Sequence, residues 1–248
     1  MESFYMTLPS NSSMSVHSDN TTSSYKVVLP QRFELENYEV ALTEIHYPQT
    51  LHNFSRDRHC IKLCKAKNVL DYKECIVPDG VYLNITHLVH AFNTYERDDT
   101  KSFKMELMND GRIILYSKDP ELRLNMPEDM SRMLGFSPVE DEFFEKKLGV
   151  EKPNLNLGLP QTLYVYSNIV ESKCVGDVMA RLLRVIRIPV KTYMHGGKGF
   201  ESFTHLQYAP VALHSFQDIE IAIKDETGKP APFTSGSLIV VLHFRRKS

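Results

Sequence analysis

Hydrophobic positions recur with a period of two along much of this chain, and the runs end at proline, glycine or polar clusters. Residues 217–224 alternate most cleanly, with Ile219, Ile221 and Ile223 on one face and Asp218, Glu220 and Lys224 on the other. That pattern predicts a strand with one face in a core and one in water. Residues 25–30 read as a short strand stopped by Pro30, and 38–47 as a longer strand ending before Pro48. Residues 60–64 alternate so that the sulfurs of Cys60 and Cys64 face the same way. Residues 103–108 and 112–116 flank Asn109-Asp110-Gly111, whose glycine tolerates a positive φ in a tight turn. Further strands are predicted at 163–169 and at 182–188, the latter closed by Pro189. Residues 238–244 are apolar on both faces, the pattern of a central strand.

The period changes twice. Ile85, Leu88, Val89 and Phe92 stand at i, i+3, i+4 and i+7, with Asn84 placed to cap them, so a helix is predicted near 84–97. A second helix is predicted near 127–135. Pro127 opens it, Glu128 and Asp129 fill its first turn, and Gly135 stops it. Met126, Met130, Met133 and Leu134 supply its buried face.

About eight to ten strands with two short helical insertions predict an all-β fold, an antiparallel β-sandwich of single jelly-roll type. No repeat or composition shift marks a boundary, so residues 1–248 are expected to form one domain. Residues 10–24 break the strand pattern. Nine of them are Ser or Thr, too little apolar area to offset an ordering cost, so a polar N-terminal arm or loop is expected.

Composition narrows the function. A formal net charge of −2 excludes a nucleic-acid binder that works through bulk positive charge. The short basic terminus Arg245, Arg246 and Lys247 is the one candidate contact with nucleic acid, and three charges without interleaved aromatics make a weak motif. No apolar run approaches a membrane span, and no secretory signal is expected, so the four cysteines read as reduced thiols. The sequons at Asn11, Asn20, Asn53 and Asn84 then read as chance matches in a Ser/Thr-rich chain.

Candidate chemistry is sparse. His52, His59, Cys60 and Cys64 lie close together, but Cys75 is isolated and no second ligand pair completes a zinc site. His87 and His90 share a helix without a metalloprotease-like carboxylate. No histidine arrangement fits a cupin centre, and no G-x-S-x-G elbow is present. Cys174 with His195 or His205 would make a thiol–imidazole pair, yet nothing local activates the thiol. The stretch 195–199 lacks the spacing of a phosphate loop and reads as a mobile connection, and the acidic run 140–145 reads as a solvated one. No catalytic residue, cofactor or metal ligand is therefore assigned.

Two extended segments carry a family resemblance. One runs from Leu8-Pro9-Ser10-Asn11-Ser12-Ser13 through Asn20-Thr21, Tyr25, Leu29-Pro30 and Leu35 to the stretch 38–48. The other runs from 163–170 through Val175-Gly176-Asp177, Leu182-Leu183-Arg184, Phe216, Ile219-Glu220-Ile221, Asp225, Thr227-Gly228-Lys229-Pro230 and Pro232-Phe233 to Leu242-His243-Phe244-Arg245-Arg246. Together they resemble the minor capsid (penton) proteins of Polinton/Maverick elements and the related adintoviruses and virophage-like viruses. The resemblance covers most of the chain, although 51–160 matches only in the order of its elements. Tyr38 stands where the family often has Trp, and Asn168 where it often has Asp.

The resemblance implies a single jelly roll, a non-enzymatic role at the capsid vertex, and a double-jelly-roll major capsid protein as partner. A vertex protein of an icosahedral shell must also meet itself in a ring of five, so a homopentamer located in the virion is expected. No membrane partner is implied. The alternative from another class is a jelly-roll glycan-binding or attachment module, for which Tyr193, Phe200 and Phe203 are the available loop aromatics. An enzyme of unfamiliar type has only Cys174 in its favour.

Overall fold

The computed structural model describes residues 3–56, 58–65, 72–75, 77–95, 103–143, 145–189 and 194–247. In chain order the elements are β1 (Ser3–Pro9), β2 (Ser24–Glu34), β3 (Tyr38–Pro48), β4 (Ile61–Lys65), β5 (Tyr72–Cys75) and α1 (Ile85–Tyr95). Then come β6 (Phe103–Leu107), β7 (Ile113–Ser117), β8 (Leu122–Met126), α2 (Glu128–Leu134), β9 (Val139–Phe143) and β10 (Lys146–Leu148). The chain closes with β11 (Thr162–Ser167), β12 (Lys173–Val175), β13 (Val178–Ala180), β14 (Leu182–Arg187), β15 (Lys198–Ser202), β16 (Ala209–Pro210), β17 (Ser215–Lys224) and β18 (Ile239–Arg246). The fold divides into two compact units, Met1–Leu51 with Pro160–Ser248, and His52–Leu159.

The first unit is a jelly roll by its pairing. Eight strands build two antiparallel sheets, β1-β18-β3-β15 and β14-β11-β17-β2, and the two-residue β16 adds to the first by pairing with β3. Numbered along the chain, the first of the eight pairs with the last, the second with the seventh, the third with the sixth and the fourth with the fifth. Pairings β18–β3 and β17–β11 complete the sheets. This nesting is what a long hairpin gives when it is rolled into two Greek keys. Residues 52–159 enter the chain between its third and fourth strands, β3 and β11.

Alternation decides which face is buried. Ile219, Ile221 and Ile223 of β17 are fully buried, as are Val240, Leu242 and Phe244 of β18. The fold class expected from the pattern holds. Strand β18 is central, but its other face is only half-buried, with Val241 and His243 on it. Four aromatic rings, Phe4, Phe33, Phe216 and Phe244, stack at centroid distances of 4.9–6.3 Å and join strands of both sheets. The buried Tyr25 hydroxyl donates to the Leu8 carbonyl at 3.0 Å, tying β2 to β1.

Strand β2 does not stop at Pro30. It continues to Glu34, because the register slips here: Val28 faces Asp218 while Phe33 faces Phe216. Pro30 therefore sits at a bulge of an edge strand, where a missing N–H breaks no ladder bond.

The second unit has a four-stranded sheet β5-β4-β8-β9 and a three-stranded sheet β10-β7-β6. Its core gathers Ile61, Leu88, Met105, Ile113, Leu124, Met130 and Leu134. Both predicted helices are present, and residues 96–97 of the first span lie outside the described residues. Asn84 Oδ1 accepts the Thr86 N–H at 2.8 Å, capping α1. Gly135 ends α2 in the left-handed region (φ +80°), its N–H bonded to the Arg132 carbonyl. The acidic run is not a plain connection: residues 139–143 form β9 at a sheet edge. The sequence pattern finds β4, β6 and β7 here and misses β5, β8, β9 and β10, strands of three to five residues with few positions in which to show a period.

Candidate assembly surfaces

Side chains of residues far apart in sequence converge on the outer face of the β1-β18-β3-β15 sheet. Register places Tyr5 beside His243 and Glu39 beside Arg245. The Tyr5 and His243 rings stack at 4.5 Å, and Nδ1 of His243 lies 2.8 Å from the Tyr208 hydroxyl. Burial and the neighbouring Arg245 hold the His243 imidazole below its ordinary range, which favours the neutral ring. The Arg245 guanidinium lies 3.5 Å from the Tyr208 ring centroid, and its Nε donates to Glu39 Oε1 at 2.6 Å. Planar stacking together with ion pairing is geometry that a guanidinium satisfies and an ammonium does not.

This arrangement changes the meaning of the basic terminus. Arg245 is neutralised and stacked, not a free cation. Arg246 faces Tyr38 in register, and the Lys247 N–H donates to the Asn37 carbonyl at 2.6 Å. Both side chains are exposed at the end of β18. Sequence reasoning missed Tyr5, Glu39, Tyr208 and His243. The available signal was parity: His243 and Arg245 share the outward phase of a strand whose inward phase is apolar from Leu238 to Phe244.

Farther along the same face His46 packs on exposed Phe200 at 4.6 Å. An open cleft of about 380 Å³ lies beside it, lined by His46, Tyr47, Thr50, Lys198, Ser235 and Ser237 among others. The stretch 195–199 contributes a turn at 195–197 and then enters β15, so its second half is strand and not connection. Phe203 lies under the Arg184 guanidinium at 3.7 Å, and Tyr193 lies outside the described residues.

Between β11 and β14 the hairpin β12–β13 projects two large apolar side chains, Val178 and Met179, which are 57% and 67% exposed. Its length is too short to bury them within the hairpin itself. Residues 10–23 connect β1 to β2 and expose Met14 and Val16, while Ser10 and Ser23 are buried.

The residues considered for chemistry are dispersed. Cys174 is an exposed free thiol on β12, with Sγ 3.4 Å from the Gly176 carbonyl oxygen. Buried His59 stacks on Phe54 at 4.8 Å, and its Nδ1 accepts the Ser55 N–H at 2.9 Å. His87 and His90 are exposed on α1. Cys60 is half-buried, its Sγ 3.8 Å from the Ile61 carbonyl oxygen, while the Cys64 and Cys75 side chains lie outside the described residues. Among the described residues no three His, Cys, Asp or Glu side chains converge as a metal site. No described helix is long and apolar enough to cross a membrane. Two sequon amides are occupied. Asn53 Nδ2 donates to the Tyr82 carbonyl, and Asn20 Nδ2 to those of Ser12 and Lys26. Asn168, at the position where an Asp was noted in the resembling family, accepts the Glu220 N–H at 2.9 Å, a bond that either residue type can make.

No family model matches the sequence, and no curated protein is similar to it in sequence. Solved structures are similar in fold. The crystal structure of the mavirus penton protein aligns with a TM-score of 0.53 at 12% identity, covering 99% of this chain and 99% of that one. A chain in the cryo-EM structure of the Sputnik virophage aligns with a TM-score of 0.49 at 8% identity, covering 100% of this chain and 98% of that one. This chain shares the fold of the mavirus penton protein, the kind of protein that its two extended sequence segments resemble.

Proposed function

We propose that this chain is a minor capsid (penton) protein of the Polinton/Maverick and virophage-like group, a non-enzymatic component of an icosahedral particle. One observation carries the reading. The likeness to the mavirus penton protein takes in 99% of both chains, so it covers the 52–159 insertion as well as the jelly roll. A common single jelly roll would match over its sandwich and leave an unrelated insertion unmatched.

A vertex position requires a head-to-tail contact that closes after five copies, with two different patches on each subunit. The β12–β13 hairpin is suited to one of them, because its exposed Val178 and Met179 are joined to a rigid sandwich. The polar-aromatic face around Tyr5, His243 and Tyr208 has the Tyr and Arg composition that protein contacts favour. Assembly then involves a homopentamer and a double-jelly-roll major capsid protein, and places the chain in the virion.

Co-expression with the cognate major capsid protein, followed by imaging, tests this. Particles with this chain at the five-fold vertices are expected, together with a pentamer in native mass spectrometry. Particles in which it occupies three-fold or six-fold positions would overturn the vertex assignment.

A further inference from the structure

The outer edge of β2 is closed by side chains. Strand β2 lies at the end of its sheet, paired on one side with β17. On its other side Ser24, Lys26 and Val28 direct their backbone groups towards the 10–24 loop. Asn20 Oδ1 accepts the Lys26 N–H at 2.8 Å, and Asn20 Nδ2 donates to the Lys26 carbonyl at 2.9 Å. Two residues back, the Ser24 N–H donates to Thr21 Oγ1 at 3.0 Å, and the Thr21 N–H to the Ser24 carbonyl at 2.8 Å. Two residues on, the Val28 N–H donates to Ser13 Oγ at 2.9 Å. The next position of that phase is Pro30, which has no N–H to offer. Alternate residues are thus satisfied one after another, as a neighbouring strand would satisfy them.

The loop is built to hold this pose. Ser10 bonds Leu238 in both directions, its N–H to the carbonyl at 2.8 Å and its Oγ accepting the Leu238 N–H at 2.9 Å. At the far end Thr22 Oγ1 donates to the Gly236 carbonyl at 2.7 Å. Between these anchors Ser13 adopts a positive φ of 56° and its carbonyl accepts the N–H groups of Val16 and His17. A Ser/Thr/Asn-rich composition is poor core material, yet its short polar side chains reach an adjacent backbone well.

We propose that residues 10–21 form a lock on a strand-pairing edge, which keeps β2 closed against the β2 edge of a second copy of this chain. Residues 25–29, Tyr-Lys-Val-Val-Leu, are strong strand formers with a single charge, and an open edge of that kind is a template for pairing. The second copy is the natural occupant because identical edges pair antiparallel around a two-fold axis, each satisfying the other. The inference stands on the hydrogen bonds alone. If the vertex reading holds, the lock also removes a two-fold contact that would compete with a five-fold ring.

The test uses the full chain carrying S13A, N20A and T21A together. At a concentration low enough to keep the variant monomeric, amide hydrogen exchange at Lys26 and Val28 is expected to quicken by about tenfold or more, while Tyr25 and Val27, which face β17, keep their protection. Sedimentation should show a species of twice the wild-type mass, absent from the wild type at equal concentration. Adding V28P, which deletes an edge N–H where proline is tolerated, should abolish that species. Asn20→Ala alone, which removes both side-chain partners of Lys26, serves if the triple variant does not fold, and should quicken exchange at Lys26 and give the doubled-mass species in smaller amount. Unchanged exchange at Lys26 and Val28 would overturn the lock, and so would faster exchange with no change in mass. Neither result bears on whether the wild type occupies capsid vertices, which imaging decides.

Discussion

Gly199 lies against the ring of Tyr47 across the β15–β3 pair, so close that a Cβ on it would stand 2.2 Å from Cε2 and Cζ. Tyr47 is buried, and that burial, with nearby Glu201, pushes its hydroxyl up to about 12. The glycine is required by close approach, since it is the residue whose absent side chain lets the ring cover the strand.

G199A is therefore expected to lower stability by about 1–3 kcal/mol, the usual cost of overpacking. The same substitution in a Tyr47→Leu background should cost less, because the ring that clashes is gone. Equal costs in the two backgrounds, measured by chemical denaturation, would show that the clash is relieved elsewhere.

The isoleucine face of β17 gives a second expectation. Ile221 is fully buried and faces Tyr25 on one side and Ser167 on the other. Ile221→Ala should cost about 2–5 kcal/mol, and Ile221→Asp should prevent accumulation of soluble folded chain. Glu220→Ala, one residue away on the outer face, should change stability by no more than about 0.5 kcal/mol.

These contrasts show where the sequence was legible. Alternation at 217–224 reports burial directly, because a strand side chain has only two directions. Helix signals at Asn84 and Gly135 are equally local, and both residues do what their types predict. The continuation of β2 past Pro30 was not legible, since a proline stops a strand or sits in a bulge depending on a partner strand, β17, near the other end of the chain. Nor was the cluster on the outer sheet face. Tyr5, Glu39, Tyr208 and His243 belong to separate segments, and only the nesting of first strand on last brings them together. The Gly-rich stretch misled for a related reason: glycines suggest a mobile loop until the ring they accommodate is known.

His59 makes stability depend on pH. Its burial, and secondarily Arg58, bring its pKa down to about 4 from 6.5, against weaker opposing effects of Asp129, the Ser55 hydrogen bond and Asp79. The unfolded chain therefore binds more protons than the folded one between these values. The histidine's contribution is complete above about pH 6.5 and falls away as pH drops towards 4, by about 3 kcal/mol in all. His59→Asn removes this titration while leaving an oxygen to accept the Ser55 N–H. The stability difference between wild type and variant should shrink steadily across that window in denaturant titrations. A difference independent of pH would show that His59 is not held neutral by the fold.

The exposed hairpin separates stability from association. Val178 and Met179 lie on a two-stranded element of three residues a side, and as exposed side chains they contribute little to the fold. Replacing them by V178D and M179E is expected to leave the melting temperature within about 2 °C of the wild type. If the hairpin seats on the neighbouring copy, two buried apolar side chains become two unpaired carboxylates in each of five contacts, and ring closure multiplies the loss. Concentration-dependent association of the wild type should then disappear in the variant, as should its incorporation into particles formed with the major capsid protein. Undiminished pentamer in native mass spectrometry would place the subunit contact on another surface, with the face around Tyr5 and His243 next to be tested. A variant that melts early would instead mean that the hairpin is buried against its own chain in solution.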